Sequence, residues 1–383
     1  MKMSKLLTIL VVLTVLLSCA SQPHNSPSTP YLDHVVIAYV AGFRSPDFES
    51  IDGNKLTHIN YAFANISDGR VVEGRPSDSQ HFQGLQSLRS RYPHLKILIS
   101  VGGWSWSDHF SDAALTPESR EIFAQSALDF MLKYQLDGVD LDWEYPGQRG
   151  EDNVFRAEDK QNFTMMLAAV REKLDAQSEA DGRIGPDKYL LTIASGANQR
   201  YLDHTEMAEA HQYLDYVNIM TYDYFTGGSS LAGHHTNLFH SSTGEPHRSG
   251  AQAVQQHLNA GIPAEKLVLG AAFYGRGWKI DSSEPVLYVP PREPGFSAPY
   301  HEILELIDHQ GYLRKWDEAA KAPYLWQPDS AIVITYDDPE SLSHKCDFVK
   351  SSGLAGIMFW EYSHDFNGEL LGSIYANLVN SDR

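Results

Sequence analysis

Cysteine is nearly absent from this chain of 383 residues: only Cys19 and Cys346 occur. A framework of internal disulfides is therefore excluded, and the fold must rest on a buried core. Basic charge is scarce as well. Thirty Lys and Arg face 49 Asp and Glu, a formal net charge of −19. Nucleic acid is a poor partner for such a surface, because phosphate contacts need a basic face; a neutral polymer or small molecule suits it better. The apolar run Leu6 to Leu17 has twelve residues, too few for a bilayer-spanning helix of ~20. No glycine-rich nucleotide fingerprint follows the first strand candidate, which weakens the case for a doubly wound sheet. What is present is an ordinary globular mixture, 42% hydrophobic and 21% charged. Its length suffices for one large α/β barrel or two ordinary domains.

The N-terminal segment reads as an address. Lys2 and Lys5 precede the apolar run, as in an export signal, and the run ends in Leu16-Leu17-Ser18-Cys19. That ending resembles the bacterial lipoprotein box, with residues 1–18 removed and Cys19 lipidated. The alternative is an ordinary signal peptide cut nearby. Residues 19–34 are rich in Pro and Ser and read as a solvated tether of about 15 residues, reaching at most ~50 Å. The expectation is an exported chain that meets a membrane only through such an anchor. Cys346, within SHKCDFVK, reads as a small buried apolar residue of a helix.

From residue 35 to 383 a single domain is expected. Short apolar runs at 35–41, 57–64, 95–101, 137–143, 189–195, 216–222, 267–273 and 356–360 read as buried parallel strands. Stretches at 117–135, 158–179, 249–260, 338–352 and 366–379 read as helices between them. Eight strands alternating with helices predict a (β/α)8 TIM barrel. Residues 277–337, rich in Tyr and Trp, are too long for a loop and predict a small inserted subdomain after strand seven.

One strand breaks its own pattern. In DGVDLDWEYP, Val139, Leu141 and Trp143 alternate with Asp140, Asp142 and Glu144. Alternate side chains share a face, so three carboxylates stand in a column about 6.6 Å apart. A metal site or a structural polar network are the bland readings, although no histidine is near and the spacing fits no calcium loop. The chemical reading uses the repulsion itself. Crowded acids cannot all ionise, so at least one stays protonated near neutral pH, as a general acid must.

These residues carry a resemblance. Asp137, Asp140, Asp142 and Glu144 reproduce the DxxDxDxE pattern of glycoside hydrolase family 18, the chitinase family. Ser100-Val101-Gly102-Gly103-Trp104 is similar to its SxGG motif and Met220-Thr221-Tyr222-Asp223 to its MxYD motif. Tyr274-Gly275-Arg276 resembles its YGR, Met358-Phe359-Trp360-Glu361 its last-strand tryptophan, and Lys321 to Pro339 the end of its inserted α+β subdomain, which implies a small α+β insertion between strand seven and helix seven. The resemblance implies substrate-assisted retaining hydrolysis of β-1,4-linked N-acetylglucosamine chains, an exception to the two-carboxylate scheme. It implies catalytic roles for Glu144, Asp142, Asp140, Tyr222 and Asp223, with no cofactor and no metal. Glu144 would protonate the departing oxygen while the substrate's acetamide oxygen attacks. Asp142 would hold the acetamide N–H, Asp140 would share a proton with it, and Tyr222 would donate to the acetamide oxygen. Asp223 would bind the distorted sugar.

Trp360 offers a flat floor for a sugar ring. Tyr39, Phe63, Trp104, Tyr145, Met220, Tyr274 and Arg276 are candidate walls, though barrel strands hold many aromatics as core, and Phe63 and Met220 fit either role. Gly102 and Gly103 either bring the chain close to substrate or the acids, or make a simple turn. Ser105 stands where many relatives carry a larger or more polar group. His234, His235 and His240 fit no ligand template and read as a cleft loop. The chain is expected to act as a monomer on chitin or its oligosaccharides. Two alternatives stay open: an endo-β-N-acetylglucosaminidase acting on glycoproteins, and a chitin-binding lectin without activity.

Overall fold

A computed structural model describes residues 33–244, 246–309 and 311–379. The segment read as an export signal, Cys19 and almost all of the expected tether lie outside them. Among the described residues, fourteen strands follow in chain order. The barrel uses β1 (Val35–Ala41), β2 (His58–Ser67), β4 (Lys96–Gly102), β5 (Gly138–Asp142), β6 (Leu190–Gly196), β7 (Tyr216–Met220), β8 (Leu267–Ala272) and β14 (Gly356–Trp360). β3 (Arg70–Val72) extends β2 as a hairpin. Each barrel strand pairs in parallel with its neighbour, and β1 closes the ring between β2 and β14. The expected eightfold barrel is the fold.

The remaining strands, β9 (Tyr274–Lys279), β10 (Phe296–Pro299), β11 (Leu313–Asp317), β12 (Ala322–Gln327) and β13 (Ile332–Thr335), form a separate antiparallel sheet ordered β10-β9-β13-β12-β11. One helix, Tyr300–His309, accompanies it. This sheet starts at Tyr274, only one residue after β8, so Tyr274 and Arg276 belong to the insertion and lean from it toward the barrel mouth.

Packing explains the two faces of β5. Val139, Leu141 and Trp143 join the large core between strands and helices, with Trp143 stacked on Phe110 at 5.2 Å. Their burial frees the opposite face for Asp140 and Asp142 inside the barrel. The helix Pro117–Lys133 begins with a reciprocal cap between Thr116 and Ser119 and a proline in its first turn, which fixes where the chain turns back. A helix at Asp78–Arg91 was not among those expected from the sequence. Its buried Phe82, Leu85 and Leu88 have helical spacing, but Gly84 interrupts the run; a Cβ there would meet the Phe48 ring at 2.4 Å. Cys346 is fully buried in the helix Pro339–Ser351, and burial pushes its thiol up to about 12.

Candidate active site

Strand register builds the acid column. Ser100 pairs with Asp140 across β4 and β5, and Asp140 with Thr192 across β5 and β6. Their side chains therefore form one polar layer in the barrel interior. Asp140, with no solvent exposure, accepts from Ser100 Oγ at 2.7 Å, Tyr39 OH at 3.0 Å, Thr192 Oγ1 at 2.5 Å and Asn218 Nδ2 at 3.3 Å. Burial pushes its carboxyl up, and the donors pull against that.

Asp142 has no such escort. Its Oδ1 is buried without a hydrogen-bond partner. Burial, then the charges of Glu144 and Asp140, push its carboxyl well above the ordinary range. A site that supplies no donor favours the protonated form. Glu144 lies two residues past the end of β5, where burial, opposed by Tyr145 and helped by Asp223 and Glu151, pushes its carboxyl up to about 7. The column thus grades from an acceptor serving four donors to an acid poised at neutrality.

The loop after β4 clamps this strand end. Glu144 N–H donates to Ser107 Oγ at 2.8 Å, Ser107 Oγ donates to Gly103 O at 2.9 Å, and Gly103 N–H donates to Asp142 O at 2.8 Å. Gly102 and Gly103 have φ of +100° and +81°. A Cβ on Gly102 would sit 2.5 Å from Asp142 O, and one on Gly103 would sit 2.7 Å from the Phe63 ring. Glycine is required by both the dihedrals and the close approach. Gly103 therefore supports the wall rather than lining the cleft, and Asp140 likewise lies beneath it. Nothing in the sequence marked Ser107, a loop serine among others.

Tyr222 and Asp223 follow β7. Among the described residues the hydrogen-bond contact of the Tyr222 hydroxyl is Met358 Sδ, at 3.8 Å, a weak acceptor. Burial and the surrounding acids keep its phenol protonated. Asp223 has φ of +56°, which an aspartate tolerates better than most residues. Arg276 grips it with two prongs, Nε at 2.8 Å and an Nη at 2.7 Å. Burial pushes the Asp223 carboxyl up, yet its partners hold it well below the usual range. His235 Nδ1 stands 3.7 Å away, beyond hydrogen-bond reach, and burial drives that ring neutral, so Arg276 supplies the pairing charge.

These groups open onto one cavity of about 1300 Å³. Tyr39, Phe63, Trp104, Asp142, Glu144, Tyr145, Met220, Tyr222, Asp223, Tyr274, Arg276 and Trp360 all line it. Phe63 stacks on Trp360 at 5.6 Å, and Tyr39 and Phe43 flank the same indole at 5.9 and 6.3 Å. Trp104, 47% exposed, meets Tyr145 edge-on at 6.5 Å. Ser105 also lines the cavity. Phe43, Arg44, Arg75 and Trp106 belong to the wall but were not singled out in the sequence. Phe43 and Arg44 follow β1 directly, and that position at the C-terminal end of a barrel strand was the available signal. The three histidines diverge. His234 faces Asp317 at 3.4 Å, His235 bonds Tyr274 O at 3.2 Å, and His240 stacks on His247 at 4.9 Å. None of the three is among the residues lining the cavity, so the expected cleft-lining loop of histidines is not found there.

Comparison with known proteins places this geometry. The family model described as Glycosyl hydrolases family 18 matches residues 34–365. Chitinase A1 of Niallia circulans is 39% identical over 404 residues, a match covering 89% of this chain and 57% of the relative; the chain spans little more than half of that protein's length. Chitinase 1 of Aphanocladium album is 30% identical over 380 residues, covering 89% of this chain and 84% of the relative. Among solved structures, a glycoside hydrolase family 18 N-acetylglucosaminidase from Paenibacillus barengoltzii superposes with a TM-score of 0.82 at 43% identity, over 90% of this chain and all of that one.

Proposed function

The chain belongs to glycosyl hydrolases family 18, and from that premise we propose that it is a chitinase-type hydrolase of β-1,4-linked N-acetylglucosamine chains acting with retained configuration. One observation carries the reading. At the cavity floor Asp142 Oδ1 is an acceptor without a donor, and the Tyr222 hydroxyl is a donor whose contact is a sulfur. An acetamide needs one of each, for its N–H and its C=O.

The chemistry follows in order. A sugar resting on Trp360 places its acetamide between Asp142 and Tyr222, and Tyr222 aligns the carbonyl oxygen for attack on the anomeric carbon. Glu144, whose carboxyl is pushed up to about 7, gives its proton to the departing glycosidic oxygen. The C–O bond breaks as the acetamide oxygen bonds the anomeric carbon, leaving a cyclic oxazolinium ion. Asp142 stabilises the positive charge on the acetamide nitrogen, and the charge of Asp140 beneath it regulates its proton. Glu144, now a carboxylate, takes a proton from water, whose oxygen opens the ring on the original face. Asp223, fixed by Arg276, holds the distorted sugar and raises the Glu144 carboxyl through its charge. A lectin would need no such acid.

The deciding assay is proton NMR of N-acetylglucosamine tetramer hydrolysis. The β-anomer of the new reducing end should appear first. An α-anomer first, or a trapped glycosyl ester on the enzyme, ends the proposal. Export with lipid attachment at Cys19 is proposed from Lys2, Lys5, the Leu6–Leu17 run and the cysteine that follows. Metabolic labelling with palmitate should mark the wild type and not Cys19→Ala.

A further inference from the structure

We propose that arginine and aromatic side chains close the cleft just beyond Trp360, so that the enzyme removes one or two sugars from the non-reducing end instead of cutting internally. The inference rests on the glycosidase reading above. Arg75 is the keystone: its guanidinium carbon lies 4.2 Å from the Trp106 ring centre and 5.2 Å from that of Phe43. The Arg44 guanidinium lies 5.7 Å from the same Phe43 ring, and its Nε is 3.4 Å from Glu361 Oε1. Trp106 follows β4, Arg75 follows β3, Phe43 and Arg44 follow β1, and Glu361 follows β14. Loops from four strands are thus joined into one wall by cation–π contacts and an ion pair.

The wall is held in place at its base, while Phe43, 44% exposed, forms its rim. Gly74 and Arg75 both donate backbone N–H to Asp78 Oδ2 at 2.8 Å, while Asp78 Oδ1 accepts from Tyr61 OH at 2.7 Å. A Cβ on Gly74 would lie 2.2 Å from the Trp106 ring and 3.0 Å from Phe63 O, so the backbone at Gly74 packs directly against that indole. Arg75 Nη1 has lost contact with solvent and has no hydrogen-bond partner. A cation accepts that desolvation where ring faces replace the water. Beyond the wall, a second cavity of about 840 Å³ shares Arg44 and His364 with the cleft.

The closed end is the glycone end. Phe43 sits 6.3 Å from Trp360, the floor for the sugar under attack, whereas the half-exposed Trp104 meets Tyr145, the residue after Glu144, and is assigned to the leaving-group side. Phe43, a member of the wall, touches the floor ring directly, and by this inference the reacting sugar and at most one more fit on that side.

The test uses an N-acetylglucosamine hexamer tagged at its reducing end, with soluble glycol chitin in parallel. Wild type should release untagged mono- or disaccharide from the first turnovers, with tagged oligomers shortening stepwise and glycol chitin viscosity hardly falling. Arg75→Ala and Phe43→Ala should add untagged trisaccharide and longer products that wild type does not make. A full ladder of early wild-type products, or a rapid viscosity drop, overturns the inference and leaves the glycosidase reading intact. Unchanged product lengths in both variants also overturn it. No hydrolysis of any chain length by wild type removes the glycosidase reading, and the inference with it.

Discussion

Replacing Glu144 by Gln should make the protein more stable while destroying its activity, and only above a certain pH. The side chain is 9% exposed, and its carboxyl is pushed up from 4.5 to about 7, chiefly by burial. At 1.36 kcal/mol per unit, the folded state is penalised by about 3 kcal/mol for holding the charge. The sign follows from proton counting. Between 4.5 and about 7 the folded chain binds the proton and the unfolded chain does not, so stability falls as pH rises through that window. The penalty is complete above about 7 and absent below 4.5. Gln keeps the shape and carries no charge. With unfolding entropy near 2.1 cal/mol/K per residue over roughly 350 residues, 3 kcal/mol corresponds to a melting-temperature gain of about 4 °C. Calorimetric melts of both proteins at pH 4 and pH 8 check this. Gln should win at pH 8 and tie at pH 4, with turnover down at least ~100-fold, the lower range for a lost general acid. Equal melting at pH 8, or an equal gain at both pH values, refutes the reasoning that burial of a charge tunes this acid.

Other consequences can be checked with single variants. Asp142→Asn should slow hydrolysis of oligomers by well over tenfold, more than ~1.4 kcal/mol of barrier, and move the pH profile; a smaller loss in steady-state assays means that the acetamide is not managed there. Arg276→Lys keeps the charge but not the two-pronged grip on Asp223, so kcat/KM should fall by about tenfold or more; kinetics matching wild type would show the fork to be dispensable. Lys345 and Asp337 form an ion pair, each 1% exposed, that also ties Thr236 and the backbone of Ala272. Lys345→Met should cost about 3–5 kcal/mol by denaturant unfolding, and the double change to Met and Leu should recover part of it; a neutral single variant would contradict the burial argument.

Much of the fold was legible because local chemistry and global architecture agree. Runs such as VVIAYVA and GIMFW coincide with β1 and β14, since a strand covered on both faces must be apolar throughout. The helix Asp78–Arg91 was not legible. Its polar surface and Gly84 dilute a three-residue buried stripe, and the reason for that glycine, the Phe48 ring, lies more than thirty residues away. The acid column was readable from alternation alone, because period-two spacing fixes which side chains share a face.

The sequence by itself determined the barrel, read from eight apolar runs, and the identity and common face of Asp140 and Asp142, which depend on spacing along one strand. Only the tertiary structure decided how those acids differ. Asp140 is satisfied by Tyr39, Ser100, Thr192 and Asn218, drawn from four other strands, while Asp142 receives nothing at Oδ1. The same holds for the wall of Arg44, Phe43, Arg75 and Trp106, whose members are ordinary loop residues until barrel closure brings β1 beside β2 and β14. Charge state and cleft shape depend on which groups meet across the ring, and that is a property of closure rather than of any single segment.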